Sequence, residues 1–594
     1  MSNKHFFTDP SSLLSSALHA VTLTSPSLSL DSPNKIIHRR SKNDTQVSLL
    51  SGGGSGHEPS FTSLVGSGLL TASVAGTIFA SPSASQIRTA ILNRVSTKKG
   101  VLVIVMNYTG DVLNFGMGVE KARVGGIEVD MVVVGDDVGV GREQGGKVGR
   151  RGIAGTVLVV KIAGALAETG ASLKEVGDVA RLVAENVVSV GASLNHVHVP
   201  GRGASEDDNL GSDEVEVGMG IHNEPGSERV KTDLTGLVKK MLKQMLDISD
   251  QDRGFIELKK EDDCVLLINN LGGVSVLEMG GIANEVIKEL EGSYGIKPLR
   301  ILCGTYMTSL NGMGFSISLL RLKDTGLGSG KSMLNLLDAP AEAVGWAAPI
   351  AAKTWEAKRS DVSVQELSVQ DAEEETPGNL KFDFSLAKKV VTTALKRVIA
   401  AEPDITRYDT IVGDGDCGIG LKRGAEAVLE VFGTSKETDD VLVFLQRVTK
   451  AIEASMDGTS GAIYAIFFNA LTSGVREQSP TSSSPAAEVR EKMQVGIWAR
   501  ALETSMIALG RYTPAKVGDR TLVDALAPFV GTLSKTGNVQ RAADAANEGA
   551  KKTKGMKASL GRSVYVGNEH VGEVPDPGAY GLAEILLGLS EGLK

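Results

Sequence analysis

Val47-Ser-Leu-Leu-Ser-Gly-Gly-Gly-Ser-Gly-His57-Glu-Pro59 joins a short apolar run to a poly-glycine stretch that ends on a histidine. An apolar run broken by Gly, Ser and Pro reads as a strand entering a loop. Ligands of open α/β sheets gather outside the carboxyl ends of strands. The poly-Gly stretch is therefore expected to bring backbone N–H groups to a small ligand and to present His57. Working outward, further β-prone runs occur at Val101–Val105, Met131–Val134, Val265–Ile268 and Phe315–Leu320. Helical patterns at Ser85–Val95 and Ser172–Val188 separate them. Strands alternating with helices imply βαβ units, so residues up to about 340 read as α/β.

Two more stretches belong to this half. Val101–Val105 leads into Met106-Asn-Tyr-Thr-Gly-Asp111, which sets a carboxylate at the same sheet edge. Gly218-Met-Gly-Ile-His222-Asn-Glu-Pro-Gly226 frames a second histidine with turn residues. Of the eight histidines, His57 and His222 lie in Gly/Pro-framed loops with a Glu-Pro dipeptide close behind. Loop histidines serve as structural hydrogen-bonders or as acid–base and nucleophilic groups, and both readings stand here. His196 and His198, two apart on one face of an expected strand, lack a third metal ligand. Gly326-Leu-Gly-Ser-Gly330-Lys331-Ser332 has half of a phosphate-loop pattern. Thr325 stands where the first glycine belongs, so the segment reads as a turn.

Downstream, Asp409-Thr-Ile-Val-Gly-Asp414-Gly-Asp416-Cys-Gly-Ile-Gly420 packs three carboxylates and four glycines into twelve residues. Hard divalent cations prefer such oxygens, and Mg²⁺ is usually shared between carboxylates and substrate phosphates. A calcium loop is excluded by spacing, because Gly418 and Ala425 occupy ligand positions of the EF-hand count from Asp414. A metal–phosphate site and a plain acidic turn remain. Around it, Leu386, Val390, Val391, Leu395, Val398 and Ile399 recur at helical spacing, as do patterns over 440–455, 487–510 and 538–550.

The expected organisation is thus an α/β half in two lobes, 1–190 and 191–356, parted at the polar, Gly-rich region 191–211. A linker follows at 357–380, and 381–594 is expected to be all-helical. The linker holds Asp371-Ala-Glu-Glu-Glu375 and too little apolar surface to fold alone. At 594 residues the length suits about four ordinary domains. Seventy glycines exceed the usual share of about 7 %. A net charge of −9 and the lack of a basic, aromatic-laced stripe exclude a nucleic-acid partner. Three scattered cysteines fit a reducing compartment. No run has the roughly 18–20 apolar residues of a membrane span. No targeting signal is evident, so a cytoplasmic location is expected.

The ordered set of motifs resembles the ATP-dependent dihydroxyacetone kinases (glycerone kinases, triokinases) along essentially the whole chain. Ile78-Phe-Ala-Ser-Pro82, Val148-Gly-Arg-Arg-Gly152, Asn269-Asn-Leu-Gly-Gly273, Met456-Asp-Gly-Thr-Ser-Gly461 and Gly561-Arg-Ser-Val-Tyr-Val-Gly567 add to it. The resemblance implies an α/β triose-binding half and a C-terminal barrel of helices that holds Mg-ATP. It implies that His222 forms a covalent hemiaminal with the ketone, Asp111 acts as base and His57 assists. Gly54, Ser55, Gly56, His57, Met106 and Asp111 would line the triose pocket. Asp409, Asp414 and Asp416 would hold two Mg²⁺ ions. Cys417, Gly418, Ile419, Gly420, Thr459, Ser460, Thr521, Arg562, Asp576, Pro577 and Gly578 would meet ATP. Homodimers that exchange domains are implied, as is glycerol and triose catabolism or detoxification. Met106 departs from the family, which carries lysine there; loss of a charged donor costs on the order of 1.5–3 kcal/mol. A lyase activity splitting FAD and a non-catalytic triose sensor are the alternatives.

Overall fold

The computed structural model describes residues 5–594 apart from 202–209, 349, 361–374, 379, 435–436, 479–490, 493 and 561–571. The chain divides into two compact units, Met1–Glu366 and Leu367–Lys594.

The first unit is built on two six-stranded sheets. The first comprises β1 (Leu28–Asp31), β2 (Ile36–Arg39), β3 (Ser48–Ser55), β4 (Ala72–Ile78), β5 (Val101–Met106) and β6 (Val129–Val134), in spatial order β1-β2-β4-β3-β5-β6. Strands β3 to β6 are parallel, so β3 and β5 deliver their carboxyl ends to one edge. The second sheet holds β7 (Val187–Ser193), β8 (Val215–Val217), β9 (Glu228–Val230), β10 (Cys264–Asn270), β11 (Arg300–Gly304) and β12 (Gly314–Arg321), in order β11-β10-β12-β7-β8-β9. The helices are α1 (Pro10–Thr24), α2 (Ala84–Thr89), α3 (Thr109–Val124), α4 (Arg142–Gly145), α5 (Thr156–Glu168), α6 (Leu173–Glu185), α7 (Leu234–Leu246), α8 (Val276–Glu289), α9 (Met333–Asp338) and α10 (Ala352–Ser360).

The period-two alternation of strands decides how these pieces stack. In β5, Leu102, Ile104 and Met106 enter a core shared with α5, α6 and α9, while Val101, Val103 and Val105 face α2 and α3. In β10, Val265 and Leu267 enter that same middle core, whereas Leu266 and Ile268 face α7 and α8. Both sheets therefore lean on one middle helical layer. Helix α5, apolar on nearly every side, is buried from Thr156 through Ala167.

Two expectations need correction. The boundary at 190/191 cuts through β7, which belongs wholly to the second sheet through its pairing with β12 and β8. Strand β3 does not stop at Leu50 but runs through the glycines to Ser55. Glycine makes that possible: a Cβ on Gly52 would stand 2.1 Å from the Val74 carbonyl oxygen of β4.

The second unit contains α11 (Phe384–Val412), α12 (Cys417–Thr434), α13 (Val441–Ser455), α14 (Gly458–Glu477), α15 (Val495–Leu509), α16 (Val523–Thr536), α17 (Val539–Lys552) and α18 (Pro577–Gly592). Each packs on its neighbour in sequence, and α18 returns to pack on α11. The unit is mostly rather than wholly helical, because β13 (Leu380–Lys381) and β14 (Glu491–Lys492) form a two-residue parallel ladder. The end of the expected linker belongs to this unit. Arg447 grips Glu375 at 2.6 and 2.8 Å, and the Gly378 amide donates to Asp440. Among the described residues, no helix is long and apolar enough to cross a membrane.

Candidate active site and metal centre

The first unit brings His57, His222 and Asp111 together from three elements. His57 follows β3; its buried Nδ1 donates to the Thr308 carbonyl at 2.8 Å, in the loop between β11 and β12. Its Nε2 lies 2.9 Å from Nε2 of His222, on the β8–β9 turn. His222 Nδ1 in turn donates to Glu224 Oε1 at 2.9 Å, and the His222 amide donates to Glu224 Oε2 at 3.0 Å. The partners fix the proton positions. A carbonyl at one end and a carboxylate at the other accept only, so this string is fully satisfied when both His222 nitrogens carry hydrogen. Burial, with the charge of His222 adding to it, holds His57 down to about 3, which keeps it a neutral acceptor. For Glu224, burial works against ionisation, but the hydrogen bonds and charge of His222 prevail and hold it down to about 2.

Aromatic rings fix the imidazole of His222. Phe79 and Tyr108 stand edge-on to it with centroids at 5.1 and 4.7 Å, and Phe79 also stacks on His57. Asp111 sits in the first turn of α3, and a Cβ on Gly53 would be only 3.5 Å from its Oδ2. Its Oδ1 is buried without a hydrogen-bond partner, and burial raises its pKa above the ordinary range. Such a carboxylate is poised to take a proton from a ligand hydroxyl.

Other triose-pocket expectations meet a more committed backbone. The Ser55 hydroxyl donates to the Gly76 carbonyl, and the Gly56 amide donates to Glu58 Oε2. A Cβ on Gly54 would press on the Ala80 amide nitrogen at 2.8 Å. Met106, 1 % exposed, lies in the middle apolar core with Ile153, Ile221 and Met307. His196 and His198 lie beyond the end of β7, outside any strand, and diverge: His196 meets Glu216 at 3.2 Å and His198 meets His5 at 3.1 Å. Gly326, Gly328 and Gly330 form a turn, and Ser332 then caps α9.

In the second unit, Asp409 ends α11 while Asp414 and Asp416 lie in the corner before α12. One oxygen or another of all three lies within 4.8 Å of the rest, the only such trio among the described residues. Gly415, at φ +80°, makes the corner. Asp409 Oδ2 also accepts the Cys417 amide at 2.9 Å, which fixes the buried carboxylate from behind. Three hard oxygens converging at a solvent-facing corner fit Mg²⁺. Thr459 and Ser460 open α14, whose Asp457 turns to Arg423 at 2.8 Å instead of capping the helix. First-turn amides left this way suit an anion. Cys417 Sγ lies 3.8 Å from Ser460 Oγ, and burial pushes its thiol up to about 12. Gly418 packs on α11 and Gly420 faces open space; Ile419 is exposed. The Thr521 hydroxyl accepts the Val523 amide at 3.2 Å, just before α16. Asp576 caps α18, with Pro577 and Gly578 in its first turn; burial pushes Asp576 up to about 6. Arg562 lies outside the described residues.

Sequence reasoning missed Glu224, Phe79, Tyr108 and Thr308. The first three sit inside quoted motifs, and the Glu-Pro dipeptide was the readable signal for Glu224. Thr308 reaches His57 across 251 positions, and no local pattern announces that.

The Dak1 domain family matches residues 19–345, and the DAK2 domain family matches residues 411–591. The dihydroxyacetone kinase of Pichia angusta is 41 % identical, over 100 % of this chain and 98 % of its own. The triokinase/FMN cyclase of Homo sapiens is 34 % identical over 100 % of both chains. The crystal structure of the dihydroxyacetone kinase from C. freundii in complex with AMP-PNP and Mg²⁺ has a TM-score of 0.63 at 30 % identity. That likeness covers 99 % of this chain and 100 % of the other. A two-sheet unit with a histidine pair joined through its Nε2 atoms, followed by a helical unit with a carboxylate trio, defines the class, and the chain belongs to the dihydroxyacetone kinase family.

Proposed function

We propose that this chain is an ATP-dependent kinase that phosphorylates dihydroxyacetone, and D-glyceraldehyde with it, to the triose phosphate. The observation that carries the reading is the string Thr308–His57–His222–Glu224 beside a buried, unpartnered Asp111 oxygen. His222 Nε2 passes its proton to His57 Nε2 along their hydrogen bond and adds its freed lone pair to the ketone carbon. His57 returns the proton to the carbonyl oxygen, giving the hemiaminal hydroxyl. Glu224 holds the ring through Nδ1 throughout. Only a carbonyl compound can be held this way, so glycerol is rejected. Asp111 takes the proton of the terminal hydroxyl as that oxygen attacks the γ-phosphorus of ATP, whose bond to the bridging oxygen breaks to release ADP.

In the second unit, Asp409, Asp414 and Asp416 hold Mg²⁺, two ions in our reading. A metal ion held there would neutralise charge on the phosphates in transfer. The first-turn amides of α14, with Thr459 and Ser460, orient those phosphates. Residues Cys417–Gly420, Thr521 and Asp576–Gly578 complete the nucleotide site, in a ring of helices that we read as a barrel. We further propose a homodimer in which the helical unit of one copy serves the triose site of its partner.

The test is a substrate panel with ATP and Mg²⁺: dihydroxyacetone, glyceraldehyde and glycerol, with FAD as a further arm. Turnover of the two carbonyl compounds, abolished in His222→Ala with Mg-AMP-PNP binding retained, is expected. Equal turnover of glycerol, or substrate density joined to a different side chain, overturns the reading.

A further inference from the structure

The Val148-Gly-Arg-Arg-Gly152 motif supplies a residue that the mechanism above does not use. Arg151 donates from Nε to Asp137 Oδ2 at 2.9 Å, and its Nη2 stands 2.8 Å from the same oxygen. Asp137, a buried residue just beyond β6, is locked by the Gly139 amide on its other oxygen at 2.8 Å. Arg151 Nη2 also donates at 2.7 Å to the carbonyl of Gly218, where the His222 turn begins. Its remaining end faces Glu224. A Cβ on Gly220 would stand 2.5 Å from Arg151 Nη1 and 2.0 Å from Glu224 Oε2, so the two charged groups face each other across that glycine without a direct ion pair.

We infer that Arg151, anchored by Asp137, is a positioning residue that adds to the hold of His222 on the ionised Glu224 and keeps it aimed at His222 Nδ1. The inference rests on the proposed role of His222. Its physical ground is that a partly buried carboxylate needs a nearby cation or hydrogen bonds to keep its charge. The groups facing Glu224 are His222 on its own turn, His57 after β3, Tyr108 before α3 and Arg151; behind Arg151 stand Asp137 and Asp136. Arg151 is the permanent cation among them. The Tyr108 hydroxyl is buried and lacks a hydrogen-bond partner, so it does not take over that task.

The experiment compares full-length wild type, Arg151→Met, Arg151→Lys and Asp137→Asn. For each, kcat/KM for dihydroxyacetone is followed against pH, alongside Mg-AMP-PNP affinity. The ¹⁵N shifts of the His222 ring are recorded without substrate. Arg151→Met is expected to lose roughly tenfold or more in kcat/KM, with the acid limb moved up by about one pH unit. Its His222 Nδ1–H signal should weaken, and nucleotide affinity should stay unchanged. Arg151→Lys should recover most of the loss. Asp137→Asn should move both readouts the same way by less, and it carries the test if Arg151→Met fails to fold. Parallel pH profiles with an unchanged ring spectrum, or no rescue by lysine in a folded variant, overturn the inference. A wild type that does not turn over ketones overturns the proposed function instead, and the ring spectrum then still decides the role of Arg151.

Discussion

Glu224 makes two of the hydrogen bonds that define the His222 turn, one to the ring and one to the amide. Its carboxyl is held down to about 2 from an ordinary 4.5. A depressed acid stabilises the fold while ionised, so its contribution is complete above about pH 4.5. It is lost as pH falls through about 2. Wild type should therefore exceed Glu224→Gln in stability at neutral pH, and the gap should close between those limits. Urea titrations of both proteins across that window check this, and a gap that widens on acidification contradicts it. At this scale the sequence exposes which residues are chemical but not their partners. His57 and His222 stood out because glycines and prolines frame them. Their contact does not, because it joins turns 165 positions apart.

The elements decide which of those residues can meet. Strand β3 keeps its pairing through Gly52 and Gly53, and at Gly52 β4 comes too near for any side chain. Gly52→Ala must push two central parallel strands apart. It is expected to destabilise the first unit by about 3 kcal/mol or lose its folding altogether; a chemical-denaturation midpoint within error of wild type would count against that. The corner between α11 and α12 behaves differently, because Asp414 and Asp416 face solvent there. Asp416→Asn should leave the melting temperature near wild type while lowering kcat by about two to three orders of magnitude. Near-normal turnover at limiting Mg²⁺ would make the acidic corner structural. The strand runs and the helical period were legible because burial imposes them directly on residue choice. The continuation of β3 through glycine was not, since glycine marks both a turn and a strand pressed against its neighbour.

At the scale of the whole molecule, the acidic run Asp371–Glu375 and the change from strands to helices announced two parts. The middle helical layer shared by both sheets was hidden. It depends on contacts such as Lys161 to the Leu336 carbonyl, far apart in sequence. The two units hold separate cores: among the described residues, each cluster of buried apolar side chains lies within 1–366 or within 367–594. Separate cores predict separate unfolding. Calorimetry of the full chain should resolve two transitions. A ligand that binds only the folded form stabilises it by about 2.7 kcal/mol at a hundred times its Kd. Mg-AMP-PNP should therefore raise the transition of the helical unit by several degrees and leave the other in place, while dihydroxyacetone should do the reverse. His222→Ala should cancel the dihydroxyacetone shift alone, and Asp416→Asn should weaken the nucleotide shift alone. A single transition raised equally by both ligands would mean that the units fold as one body and that their ligands act on a common core.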